Sequence, residues 1–300
     1  MKKLAVVAAL FLVAACGAAN TVSAHSISLA YKAGDSYRYS LHFVLKYTIG
    51  VQSVGMTVPL DVDLAAKEAV KVNSVDSGGV ANVTITLTDM SAKATVNGTT
   101  NTTTTATATV NVKIGPDGRI ISVNGNALGN NTIPGMSGTD SAFVSAILPD
   151  HAVKPGDTWS KSYDESNPEG STGTFHITSD NKYLRDEKVG SANAAVVESK
   201  IGTTLDLKFD ISALAGSGSP LFPSGGTSGS GLESMGMKGT VKSDVTSWID
   251  SNARRILKSH STGTLGATLA FNMAAGASPP PGLGGPITFQ GTQTLDMTPA

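Results

Sequence analysis

From Tyr37 to Ile49 the chain alternates with a period of two. Tyr37, Tyr39, Leu41, Phe43, Leu45, Tyr47 and Ile49 fall on one side, and Arg38, Ser40, His42, Lys46 and Thr48, with Val44, on the other. One apolar side and one wet side at that period make a half-buried β-strand, the habit of antiparallel sheets. The pattern returns in Val83, Ile85 and Leu87 against Thr84, Thr86 and Thr88, and in Ala106 to Ile114 against Thr107, Thr109, Asn111 and Lys113. It returns again with Leu205, Leu207 and Phe209 against Asp206, Lys208 and Asp210, and with Leu265, Ala267, Leu269, Phe271 and Met273. Ile287-Thr288-Phe289 opens a last strand. Thirty-three glycines and few aromatics suit many strands joined by turns rather than helical bundles.

Short turn motifs repeat along the chain, and repeats govern the fold where they occur. Lys32-Ala33-Gly34-Asp35-Ser36-Tyr37 returns as Lys154-Pro155-Gly156-Asp157-Thr158-Trp159, each just before a strand. In each motif Gly permits a positive φ, Asp closes the turn and the aromatic anchors the strand. Asp76 to Gly79 and Gly190 to Asn193 each join two strands, and Gly115 to Arg119 and Asp250 to Arg255 are turns that end in Arg. The offset between matching positions grows from 122 residues (Lys32 to Lys154) to 136 (Arg119 to Arg255), so the second half holds an insertion. Ala215 to Gly239, rich in Gly and Ser, is that insertion, and its composition predicts a flexible loop.

One helix is expected, over Asp140 to Leu148. There Phe143 and Ile147, and Val144 and Leu148, are four apart and Pro149 follows as a stop. The predicted fold is therefore mainly β: an antiparallel, strongly curved sheet, half-barrel or sandwich-like, built from two similar halves with one short bridging helix. The expected organisation is a signal peptide over 1–15, a tether over 16–26, a first β half over 27–136 and a helical bridge over 137–150. A second β half then runs over 151–300 and carries the loop at 215–239.

At the N-terminus, Lys2 and Lys3 precede the apolar run Leu4 to Ala15. Twelve residues are too few to span a hydrocarbon core that needs about 20, so the run reads as a signal peptide core. Two processing sites compete. Leu12-Val13-Ala14-Ala15-Cys16-Gly17 looks like a bacterial lipobox that would leave Cys16 as an acylated first residue, and Val22-Ser23-Ala24 before His25 fits ordinary cleavage. Cys16 is favoured because it directly follows the apolar run and is the only cysteine. The expectation is an exported protein, lipid-anchored in a cell or outer membrane, or else soluble after cleavage at Ala24.

The signal-cysteine start, the Lys-x-Gly-Asp-Ser/Thr-aromatic openings and Leu148-Pro149-Asp150 before the second opening resemble an uncharacterised family of bacterial secreted lipoproteins. More distantly, a curved antiparallel sheet on such a protein is similar to the half-barrel carriers of lipids and lipoprotein acyl chains. That second resemblance is architectural and implies binding only by analogy.

Chemistry is sparsely signalled. A net charge of -1 with 15% charged residues leaves no basic excess for nucleic acid. The five histidines, His25, His42, His151, His176 and His260, show no metal-ligand spacing, and no metal or cofactor is expected. Asp61 and Asp63 fall on one strand face about 7 Å apart, which suits an exposed face better than a calcium site. Ser179-Asp180-Asn181-Lys182 carries motifs of penicillin-recognising enzymes, but compressed onto one segment, and reads as coincidence. Thr99 to Thr109 reads as a wet strand face. No catalytic residue is expected.

The large apolar groups of the Gly/Ser-rich stretch, Leu221, Phe222, Met235 and Met237, are the candidates for contact with an apolar ligand or a partner. The expected function is a non-enzymatic cell-envelope lipoprotein that binds an apolar small molecule or lipid on its curved sheet. The alternative is a structural lipoprotein presenting a surface to an envelope protein. A hydrolase is the weakest reading, because no nucleophile has a recognisable base.

Overall fold

The computed structural model describes residues 23–124, 145–164, 171–210, 232–274, 276–279 and 284–300. The strands are β1 (His25–Ser26), β2 (Ser36–Val51), β3 (Met56–Val75), β4 (Ala81–Val96), β5 (Thr99–Ile114), β6 (Ile120–Asn124), β7 (Ala152–Val153), β8 (Thr158–Asp164), β9 (Ser171–Val189), β10 (Ala192–Asp210), β11 (Leu232–Asp250), β12 (Ile256–Met273) and β13 (Ile287–Pro299). β1 pairs with β7, and the other eleven form one antiparallel sheet in the order β6-β5-β4-β3-β2-β13-β12-β11-β10-β9-β8. The architecture is mainly β and antiparallel, as the alternation predicts. On β2 the odd positions are buried or half-buried, while Arg38, His42, Lys46 and Thr48 are exposed.

The sheet rolls up. All eleven of its strands contribute to one buried cluster, from Tyr39, Val72 and Val83 in the first half to Trp159, Tyr183 and Ile249 in the second, which a flat sheet cannot do. Among the described residues the edge strands β6 and β8 are not hydrogen-bonded to each other, so there the roll is open along one seam. Side chains bridge that seam: Lys161 Nζ lies 3.7 Å from Asp117 Oδ2, and the Arg119 guanidinium stacks 4.6 Å from the Tyr163 ring centre.

The repeated turns are built alike. The Gly34 N–H donates to the Val72 carbonyl and the Val72 N–H to the Asp35 carbonyl. Gly156, Tyr183 and Asp157 make the same pair of bonds. The Asp35 and Asp157 carboxylates accept from the N–H groups of Lys32 and Lys154 at 3.2 and 2.9 Å. The φ angles of +92° at Gly34 and +98° at Gly156 explain why both positions are glycine. In the turns that end in Arg, the Gly115 N–H donates to the Arg119 carbonyl and the Asp250 N–H to the Arg255 carbonyl. Each arginine stacks on an aromatic of the opposite half, Arg119 on Tyr163 and Arg255 on Tyr37. β13 lies between the halves and pairs with both β12 and β2.

The expected bridging helix is absent from its described part, residues 145–148. Ser145, Ala146, Ile147 and Leu148 are all buried, so the segment has no wet face for a helix to present. It is an extended strap laid across the concave side of the sheet. The Ala146 N–H donates to Ser247 Oγ and the Ile147 N–H to Ser199 Oγ, both at 2.9 Å, and the Leu148 N–H donates to the Asp117 carbonyl. Residues 140–144 lie outside the described residues. Ser199→Ala or Ser247→Ala removes the acceptor of a buried N–H and is expected to lower stability by about 1–3 kcal/mol each, read from urea denaturation.

Two boundaries also move. His25 and Ser26, expected in the tether, pair with β7, and Ile27 and Leu29 are core residues. Leu232 to Gly239, expected at the end of the flexible loop, are the start of β11. Glycine there reflects close packing: a Cβ at Gly239 would lie 2.7 Å from the Gly266 carbonyl oxygen and 2.8 Å from the Ala267 Cβ.

Candidate functional site: the concave face of the sheet

The two sides of the sheet differ sharply in chemistry. The convex side carries Lys46, Asp61, Asp63, Lys93, Lys200, Lys242 and Asp244, all exposed. A shallow convex depression of about 650 Å³ has walls that include Asp180, Lys200, Lys242, Asp244 and Thr262, and its charges cancel. The concave side carries Leu45, Phe175, Ile177, Leu205 and Leu269, all buried. A transmembrane barrel needs the opposite arrangement, an outward apolar band around a polar lumen. Among the described residues no helix is long and apolar enough to cross a membrane.

The concave trough is closed at the end where the opening turns lie. The Ser145–Pro149 strap, Ile27 and Leu29 fill it there, and the Trp159 indole N–H donates to the Ile147 carbonyl at 3.1 Å. Further from those turns the lining is less covered: Phe43, Leu60, Val62, Phe209, Phe271 and Ile287 are half-buried against the second core cluster. Between these regions polar groups interrupt the apolar wall formed by Leu45, Ile201, Val241 and Leu265. Asn181 Oδ1, Thr203 Oγ1, Ser243 Oγ and Gln293 Nε2 are buried there without a hydrogen-bond partner among the described residues.

Met235 and Met237 are buried on β11 in the second core cluster, so they line the trough as wall residues and not as tips of a loop. Alternation with Gly236 and Lys238 placed them there, a signal that the surrounding glycines hid. Leu221, Phe222 and Cys16 lie outside the described residues.

The other sequence candidates are dispersed by the strand period. On β9, Ser179 and Asn181 are buried while Asp180 and Lys182 are exposed, so these four residues never share a face. Asn181 Nδ2 instead donates to Ser179 Oγ and to the Trp159 carbonyl. Asp61 and Asp63 are both exposed on the convex face, and Asp63 bonds His42 at 3.0 Å. The other surface histidines also pair with aspartates: His176 with Asp164, His260 with Asp296 and His151 with Asp150. Among the described residues no three metal-ligating side chains converge.

Sequence reasoning missed Glu68. It faces inward from β3, is 6% exposed, and has neither a hydrogen bond nor an ion pair among the described residues. Its cross-strand partner is Tyr39, whose hydroxyl donates instead to the Ile256 carbonyl at 2.7 Å. Burial pushes the Glu68 carboxyl up from 4.5 to about 7. The signal was available, because Glu68 interrupts the inward series Val58, Leu60, Val62, Leu64, Ala66, Val70 and Val72.

No family model matches this chain, and no characterised protein sequence matches it. Two solved structures from Pseudomonas aeruginosa are similar in part. OccK7 (OpdD) shares 7% identity over 89% of this chain and 99% of its own, at a TM-score of 0.23. OpdQ shares 8% identity over 88% and 98%, at a TM-score of 0.21. Likeness at that level carries no argument about fold or function.

Proposed function

We propose that this protein is an exported, non-enzymatic carrier of the cell envelope that holds an apolar ligand in the concave trough. The observation that carries the reading is the trough itself: an apolar wall inside a polar shell, closed at one end by the strap, with half-buried Phe43, Phe209 and Phe271 toward the other. Partly covered aromatic and aliphatic groups around a concavity are the usual lining of a ligand site. Met235 and Met237 supply adaptable surface for ligands of varied shape. The resemblance to secreted lipoproteins and to half-barrel carriers points the same way, by analogy alone.

Anchoring through Cys16 belongs to this reading. Read backwards from the opening turns, the repeat extends to Val22-Ser23-Ala24 in the first half and Val144-Ser145-Ala146 in the second. The triplet that resembles a cleavage site is therefore part of the repeating unit, which favours processing at Cys16. His25 hydrogen-bonds the Tyr183 hydroxyl at 3.2 Å, so the folded body is reached no later than His25, nine positions after Cys16.

Two measurements on the exported protein test the proposal: the intact mass, and mass spectrometry of an organic extract. The expected results are a diacylated Cys16 terminus and a recurring apolar compound that competes with dansyl-labelled undecanoic acid. Phe271→Ser should weaken that probe several-fold. A protein that yields no extractable compound and binds no probe would overturn the carrier reading.

A further inference from the structure

The exposed large apolar side chains of the described residues all occur at one place. Val54 (58% exposed), Met56 (49%) and Val96 (40%) sit at the end of the sheet opposite the opening turns. Val54 ends a 3-10 turn, Gln52–Val54, between β2 and β3, Met56 begins β3, and Val96 ends β4 directly across from Leu60. Strand alternation places Met56 on the same side as Val58, Leu60 and Val62, and Val96 on the same side as Ala94. Met56 and Val96 therefore extend the apolar lining of the trough out onto its rim, with Val54 exposed on the adjoining turn.

Two further features mark this lip. Residues 48–60, 94–101 and 284–292 contain no Asp, Glu, Lys, Arg or His, while the charged rows of the convex face resume at Lys46, Asp61 and Lys93. The β2–β3 tip also protrudes. Met56 to Pro59 run beyond the last residue of β3 paired with β4, and the tip is held on its other side by the Gln52 N–H donating to the Pro286 carbonyl at 3.3 Å. The lip is thus a braced, uncharged edge that carries exposed apolar groups.

We infer that this lip is a contact for a lipid bilayer, which brings the mouth of the trough against the membrane. Exposed apolar groups gathered in one patch mark a contact surface. The absence of ions means that nothing charged has to be dehydrated when the tip enters the headgroup region. Three side chains on two turns fall well short of the about 800 Å² per partner that a stable protein complex buries. A bilayer, which rewards a small apolar tip, fits better than a folded partner or a second copy. The contact rests on the carrier reading for its purpose, since it would let an apolar ligand pass between bilayer and trough without crossing water.

The test is flotation of the chain from Gly17 to Ala300, which lacks both the apolar run Leu4 to Ala15 and the acylated Cys16, with vesicles of phosphatidylethanolamine and phosphatidylglycerol. Binding is expected to persist at high salt, because no charge mediates it. It should fall about tenfold or more in Val54→Asp/Met56→Asp, on the scale of charges brought to a membrane interface. Both side chains are exposed, so the thermal midpoint of the double variant should match that of the parent. Failure of the parent to float, equal flotation of the double variant, or loss of binding in salt would each overturn the inference. So would a dimer in size-exclusion that the double variant abolishes, which would assign the lip to a second copy. Dansyl-undecanoate binding without vesicles reports on the trough alone, so a failed carrier reading and a failed lip are told apart.

Discussion

Glu68→Gln is expected to abolish a fall in stability that the parent protein shows between about pH 4.5 and pH 7. The folded-state pKa of Glu68 is raised from 4.5 to about 7 by burial. In that interval the native protein keeps a proton that the unfolded chain releases. Stability then falls as pH rises, because the unfolded state binds fewer protons. The contribution is complete below the unfolded pKa and lost once pH passes the folded one. At 1.36 kcal/mol per pKa unit, the span amounts to about 3 kcal/mol. Glutamine keeps the shape and removes the ionisation. The variant should therefore match the parent near pH 4 and exceed it by roughly 2–3 kcal/mol near pH 8. Urea denaturation of both proteins across that range checks this, and parallel pH profiles would refute it. The Tyr39 hydroxyl, directly across the strand pair from Glu68, is engaged by the Ile256 carbonyl.

Which parts of this fold could be read in advance follows from the physics of each signal. Strands were legible because one face is buried and the other wet, so Tyr37 to Ile49 announces itself by alternation alone. The repeated openings were legible because the positive φ at Gly34 and Gly156 and the Asp35 and Asp157 carboxylate bonds are local requirements. The strap was misread for the opposite reason. Ile147 and Leu148 are buried by strands far away in sequence, and the acceptors for the strap's N–H groups, Ser199 and Ser247, lie on β10 and β11. Nothing within residues 140–148 reveals those partners, and apolar residues four apart then mimic a helix. The start of β11 was hidden because Gly239, which serves close strand packing, looks the same in sequence as a glycine of a loose loop. The lip was invisible for a similar reason, since Val54, Met56 and Val96 are ordinary strand residues until the topology leaves them at one rim.

Trp159→Ala is expected to cost about 3–5 kcal/mol, the range for emptying a large aromatic site in a core. The indole is 8% exposed within the cluster to which all strands of the main sheet contribute, and its N–H holds the Ile147 carbonyl. Alanine opens a cavity under the strap and leaves that carbonyl without its donor. Trp159→Phe separates the two effects, because it keeps most of the apolar volume and loses the bond, at about 1–2 kcal/mol. The matching position in the first half provides an internal control. Tyr37 is half-buried, its hydroxyl bonds only Asp35 within its own turn, and Arg255 covers its ring. Tyr37→Ala should therefore cost clearly less than Trp159→Ala, although the two residues open equivalent strands. Urea denaturation of the three variants decides it: equal losses at Tyr37 and Trp159 would mean that the grip on the strap contributes nothing. The expected inequality would instead show the two halves diverging where the closed end of the trough is made, with Trp159 holding down the segment that closes it.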